Sequence, residues 1–75
     1  MKNLLECKFN RSYILAGFDS VLSFKVKRRL CELGFTEGQE IKMVRKSLLG
    51  KAYLVELRGY TLSLRSDIIE AVLVK

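Results

Sequence analysis

The sequence predicts a mainly β fold, in which about five short strands form a small barrel and one α-helix follows the first strand. Between Leu22 and Leu33, apolar residues recur every three or four positions, a spacing typical of a helix. From Gly38 onward they alternate with polar residues, as in half-buried strands. The 75 residues are 49% hydrophobic and include no proline, so residues 1–75 have the composition of one domain with a real core.

The first strand and the helix occupy the N-terminal half of the chain. Residues 12–18 are a short apolar run that ends near a glycine and predicts a strand, and residues 4–7 before it predict one helical turn. Asp19 or Ser20 is a suitable N-cap for the helix, and Gly34 follows it where a left-handed residue commonly ends a helix. The apolar stripe that defines the helix consists of Leu22, Val26, Leu30 and Leu33.

The C-terminal half predicts strands joined by turns. Residues 46–51 form a hairpin loop, residues 58–60 form a tight turn, and Ser66 with Asp67 ends the strand before them. Short, curved strands with glycine at the turns favour closure into an SH3-like barrel, because closure removes unpaired sheet edges. An open α+β sheet with the helix on one face is the alternative. The strands predicted after Gly38 cover residues 39–45, 52–58, 61–65 and 69–74.

Charge and composition exclude several classes of chemistry. Lys and Arg number 14 against 8 Asp and Glu, and the formal net charge of +6 favours acidic partners. Without histidine the chain cannot assemble a Ser-His triad or a Cys/His zinc site, and its carboxylates show no metal-ligand spacing. Gly50-Lys51 lacks the earlier glycine and the following Ser or Thr of a phosphate-binding P-loop. The sequence therefore predicts a binding module and not an enzyme, with no cofactor and no metal site.

The N-terminal residues and the two cysteines indicate the compartment. The first ten residues carry charges and no apolar run long enough for a signal peptide or a membrane span, which favours a cytoplasmic location. Cys7 and Cys31 could form one disulfide, but reduced thiols fit that location better. Cys31 lies among apolar helix positions, where a thiol behaves as a small hydrophobe.

Several short motifs follow one another in an order that is more specific than any one of them. They are residues 28–38 (RRLCELGFTEG), Ile41 and Val44, Leu49-Gly50, residues 58–60 (RGY) and residues 62–65 (LSLR). Together they resemble the FeoA family, whose approximate pattern is R-R-L-x-x-[LM]-G-[LIF]-T-x-G, an apolar strand, a P-L-G-x-P loop and G-x-x-[LI]-[AS]-L-R. The chain departs from that family by lacking proline in three loops, which affects loop rigidity more than the fold: residues 8–10, 36–38 and 47–52.

The resemblance covers nearly the whole chain and implies an SH3-like barrel that acts beside the membrane ferrous-iron transporter FeoB. The implied role is that of a small cytoplasmic accessory protein. Such a protein touches the cytosolic GTP-binding portion of the transporter or helps to assemble the complex. Any GTP chemistry then belongs to the partner.

Two parts of the chain are candidates for partner binding. Leu48 and Leu49 lie at a hairpin tip with little core to reach, and with Phe35 they are predicted to form an apolar docking patch. Lys27 and Arg28 belong to a basic helix face that is predicted to aid approach to an acidic transporter surface or to the anionic inner leaflet. The plain structural alternatives are a core position for Phe35 and a solvated face for the basic run.

Two other function classes fit a small basic barrel. One is a nucleic-acid-binding module similar to Sm-like or translation-associated SH3 barrels, although Phe24 is the only aromatic residue near the basic run for base stacking. The other is a stand-alone regulatory domain akin to the C-terminal part of metal-dependent repressors. That role would require a DNA-binding partner chain.

Overall fold

Short strands dominate the computed structural model, which describes residues 2–75. In chain order the elements are β1 (Lys2–Asn3), a 3-10 turn (Leu4–Glu6), β2 (Ser12–Phe18), α1 (Phe24–Glu32), β3 (Glu40–Lys46), β4 (Ala52–Leu57), β5 (Tyr60–Arg65), α2 (Ser66–Glu70) and β6 (Val72–Val74). The mainly β architecture with one longer helix after the first long strand is confirmed, as is the helical turn near the N-terminus.

The strands form one antiparallel sheet in the order β1-β6-β2-β3-β4-β5. Its register shifts between Leu15 and Gly17 where β2 pairs with β6, and between Met43 and Arg45 where β3 pairs with β4. An extra residue in one strand increases local twist and bends the sheet. These two irregularities let six strands curl around one core within 29 × 23 × 23 Å.

The core follows the predicted alternation along the strands. Ile41 and Met43 of β3 are buried, and so are Tyr53, Val55 and Leu57 of β4, because successive side chains of a strand point to opposite faces. The helix α1 contributes Leu30 to the same cluster. The largest fully buried side chains are Phe35, Leu4, Leu15, Ile41, Met43, Ile69, Val55, Val72 and Val74.

The helix begins later than either predicted N-cap. Ser23 is the N-cap, and its side-chain oxygen accepts a hydrogen bond from the backbone N–H of Val26 at 3.2 Å. Asp19 instead accepts from the backbone N–H of Val21 at 3.0 Å and stabilises the turn after β2. Leu22 therefore packs against the core from the segment before the helix.

The closing strand is shorter than predicted because α2 takes up its first residues. Asp67 lies in the first turn of α2 and accepts from the backbone N–H of Ile68 at 3.0 Å, which favours a helix start. Ile69 is fully buried and its neighbour Ile68 also packs against the core. Adjacent residues of a strand face opposite sides, whereas a helical turn brings both side chains toward the core.

The end of α1 is tied to the β4–β5 turn. Gly34 follows the helix with φ of +107°, and the hydroxyl of Tyr60 donates a hydrogen bond to the carbonyl of Leu33. A Cβ at Gly34 would lie 2.8 Å from Cδ of Arg58. This glycine is needed both for its backbone conformation and for the close approach of the turn.

Gly34→Ala is expected to destabilise the fold more than Gly38→Ala. Gly34 has φ of +107° and Gly38 has φ of +90°, so alanine at either position is strained by roughly 1–3 kcal/mol. At Gly34 the side chain of Arg58 must also move, whereas a Cβ at Gly38 would have no described atom within 4 Å apart from those of Gly38 itself and its two chain neighbours. Urea unfolding of both variants measures the difference, and equal losses would show that the side chain of Arg58 moves aside without cost.

Candidate docking surface

The tip of the β3–β4 hairpin, residues 47–51, carries the most exposed apolar side chains of the described chain. Leu48 is fully exposed, and Leu49 retains 83% of its accessible surface. Two backbone hydrogen bonds close the loop: the N–H of Ser47 donates to the carbonyl of Ala52 at 2.9 Å, and the N–H of Gly50 donates to the carbonyl of Ser47 at 3.0 Å. The hairpin therefore holds two adjacent leucines in solvent.

A shallow groove of about 460 Å³ lies at the base of the tip and joins it to the outer surface of the sheet. Positive charge surrounds the leucines, since Arg45, Lys46 and Lys51 are all exposed. None of these three residues belongs to a predicted binding site, although their position on either side of the tip was a usable signal. The groove is lined by Arg45, Lys46, Ser47, Leu48, Leu54 and Ser63.

Phe35 is not part of this surface, and its assignment to the docking patch is wrong. Its side chain is fully buried in the core. Its backbone N–H donates to the carbonyl of Leu30 at 2.9 Å, so the chain turns back against the helix immediately after Gly34. The packing of this helix stop against the barrel places the ring in the core, which is the core alternative that the sequence allowed.

Lys27 and Arg28 lie on α1, apart from the leucines. Arg28 is exposed and forms a long ion pair with Glu32, with Nε and Oε2 3.9 Å apart, whereas Lys27 is half-buried. The C-terminal end of α1 contacts the β4–β5 turn through Tyr60, and the leucine tip lies at the other end of β4. The six residues of β4 span about 20 Å, so the structure presents two separate surfaces.

The two thiols have different surroundings, and neither forms a disulfide. Cys7 is buried, its Sγ lies 3.5 Å from the carbonyl oxygen of Asn3, and burial raises the pKa of the thiol. Cys31 is exposed, so its prediction as a core-facing thiol is wrong. It follows the buried Leu30, and one helical step of about 100° turns its side chain to solvent.

Two further properties bear on function. Within residues 2–75, no three His, Cys, Asp or Glu side chains form a group that could hold a metal ion. Both α-helices, the longer of nine residues, fall short of the length and hydropathy of a bilayer-spanning helix.

Comparison with models of protein families matches the chain to the FeoA domain family over residues 2–75. Comparison with curated protein sequences gives no significant match. Among solved structures, the chain resembles an FeoA-like protein from Clostridium acetobutylicum, with 30% identity, a TM-score of 0.83 and coverage of 99% of this chain and 84% of that one.

Two other solved structures have a fold similar to that of this chain. The zinc-complexed FeoA of Stenotrophomonas maltophilia has 28% identity, a TM-score of 0.84 and coverage of 100% of this chain and 91% of that one. It is described as a prokaryotic SH3 domain protein and a candidate ferrous iron transport activating factor, which confirms the SH3-like prediction. The manganese-activated repressor ScaR has 24% identity and a TM-score of 0.82 over 99% of this chain and 34% of that one. At this identity the likeness shows the fold alone.

Proposed function

Because the chain belongs to the FeoA family, we propose that it is a small cytoplasmic accessory protein of ferrous iron uptake that binds an FeoB-like GTP-binding transporter. The family is linked to ferrous iron transport. In this proposal the chain contacts the cytosolic GTP-binding portion of the transporter and modulates it or helps to assemble the complex. The chain supplies contacts, and GTP hydrolysis is the chemistry of the partner.

The exposure of Leu48 and Leu49 is the observation that carries this proposal. Burying a leucine side chain in an interface contributes roughly 1.5–3 kcal/mol, whereas an exposed ion pair contributes about 1 kcal/mol or less. Two adjacent leucines on a hairpin held by its own hydrogen bonds can enter an apolar pocket with little ordering cost. The leucines therefore supply most of the affinity.

The basic residues guide the approach. Arg45, Lys46 and Lys51 lie beside the leucines, so they attract an acidic surface at the point of contact. Lys27 and Arg28 add to the net charge of +6 from a separate surface. Exposed charges separated by more than about 8 Å are largely screened at physiological ionic strength. Lys27 and Arg28 therefore affect association less than the basic residues beside the leucines do.

The direct test is binding of the full chain to a detergent-solubilised FeoB-like transporter. We expect saturable binding at physiological salt, and its loss when the transporter lacks its cytosolic GTP-binding portion. A mixed RNA pool serves as the competing ligand. Absence of transporter binding, together with RNA binding tighter than the micromolar non-specific range, would favour the nucleic-acid function instead.

Removing charge beside the tip is expected to slow association. Lys46→Gln with Lys51→Gln should lower the association rate several-fold and flatten its dependence on salt, with a smaller change in dissociation. Stopped-flow or surface-based kinetics at two salt concentrations measure both rates. The matched control is Lys27→Gln with Arg28→Gln, which removes the same charge from α1. A larger effect of the control would make α1 the docking surface.

A further inference from the structure

The outward side of α1 is a second exposed surface that the transporter contact leaves unused. Leu30 is buried and Val26 packs against the core, so the opposite side of the helix faces solvent. We call this surface the α1 face. It consists of Phe24, Lys25, Arg28, Arg29 and Glu32, preceded by Val21 in the turn before the helix, and all six residues are exposed.

Two apolar side chains lie at one end of the α1 face. Phe24 keeps 80% of its accessible surface and Val21 keeps 79%. Phe24 opens the helix directly after its N-cap, so its ring stands outside the core cluster. A phenylalanine this exposed contributes little to the stability of the core. Its burial in the apolar part of a membrane would contribute roughly as much free energy as burial in a protein core.

Basic side chains outnumber the single acid on the rest of the α1 face. Lys25, Arg28 and Arg29 are exposed, and Glu32 is the single acid of the helix. The pair between Arg28 and Glu32 is long, at 3.9 Å, and both side chains are well exposed. Such a pair leaves the guanidinium available to other anions.

We propose that the α1 face is an interfacial contact site for an anionic phospholipid membrane. In this arrangement the rings and methyls of Phe24 and Val21 enter the boundary between headgroups and acyl chains, and Lys25, Arg28 and Arg29 lie among the lipid phosphates. A nine-residue helix is about 13 Å long and too short to span a bilayer, so the contact is interfacial and reversible, with the N-terminal end of the helix deeper than the rest.

The chemistry of the face favours a membrane over the other anionic surfaces. Single-stranded nucleic acid is bound through several aromatic side chains that stack on successive bases, whereas the α1 face has one. Apolar residues at one end of a basic helix are suited to a bilayer, because the charged lipid headgroups and the acyl chains form adjacent layers. This contact is independent of the proposed transporter binding, since the leucine tip remains free.

A single tryptophan tests the apolar part of the proposal, because the chain has none. Phe24→Trp is mixed with vesicles of phosphatidylglycerol and phosphatidylcholine, and then with vesicles of phosphatidylcholine alone. We expect a blue shift of tryptophan emission with the anionic vesicles and none with the neutral ones. Leu48→Trp is the matched control, because Leu48 is fully exposed on the other surface and should not shift. A shift of the control without a shift at position 24 would overturn the assignment.

Co-sedimentation with the same vesicles tests the basic part. Arg28→Gln with Arg29→Gln should reduce partitioning about 30-fold, since each basic residue near an anionic surface contributes on the order of a few-fold to ten-fold. Lys46→Gln with Lys51→Gln removes the same charge near the tip and should reduce partitioning much less. Circular dichroism verifies that each variant is folded. Equal losses for the two pairs, or binding of RNA in place of vesicles, would overturn the membrane proposal.

Discussion

Leu49→Asp is expected to weaken binding of the FeoB-like transporter at least about 100-fold, because it removes a buried apolar contact and places an unpaired carboxylate in the interface. The barrel should stay folded. Leu49 is 83% exposed and belongs to a loop whose hydrogen bonds are made by Ser47, Gly50 and Ala52, so its substitution should change the free energy of unfolding by no more than about 0.5 kcal/mol.

The control for this variant is Val21→Asp, which adds the same charge at a side chain that is 79% exposed on the other surface. It should bind the detergent-solubilised transporter like the wild type. Titration calorimetry gives the affinities, and thermal melts give the stabilities. Unfolding of Leu49→Asp would mean that the leucine is a core residue. A folded variant with unchanged affinity would place the docking site elsewhere on the barrel.

Phe35→Ala is expected to have the largest effect on stability. Its ring is fully buried, and deletion of a buried phenylalanine side chain costs about 3–5 kcal/mol in lost transfer free energy and in the cavity that remains. A domain of 75 residues has a total stability of roughly 4–11 kcal/mol, so the variant should be at the edge of unfolding. Urea denaturation measures the midpoint.

Phe24→Ala makes the same chemical change at a side chain that is 80% exposed. Its unfolding midpoint should be close to that of the wild type, because little apolar contact is lost. If Phe35→Ala were as stable as Phe24→Ala, the ring of Phe35 would be on the surface, as the docking-patch hypothesis required. The pair of variants therefore separates a core role of Phe35 from a binding role.

Local periodicity was sufficient to predict most of the fold. The two-residue alternation in β3, β4 and β5 identified three strands and the buried face of each, because only one face of these strands meets the core. The order of short motifs from Arg28 to Arg65 identified the family. Leu48 and Leu49 were also predictable as exposed, since two adjacent leucines at a hairpin tip have no core within reach.

Contacts between segments that are distant in sequence determined the features that local periodicity did not predict. Phe35 follows a helix stop, and only the packing of that stop against the barrel turns its ring inward. The separation of Lys27 and Arg28 from the leucines depends on which end of β4 the helix meets, and no local pattern encodes that contact. Residues 66–70 form α2 for the same reason. The apolar pair Ile68 and Ile69 is compatible with either a strand or a helical turn, and its contacts with the core select the helix.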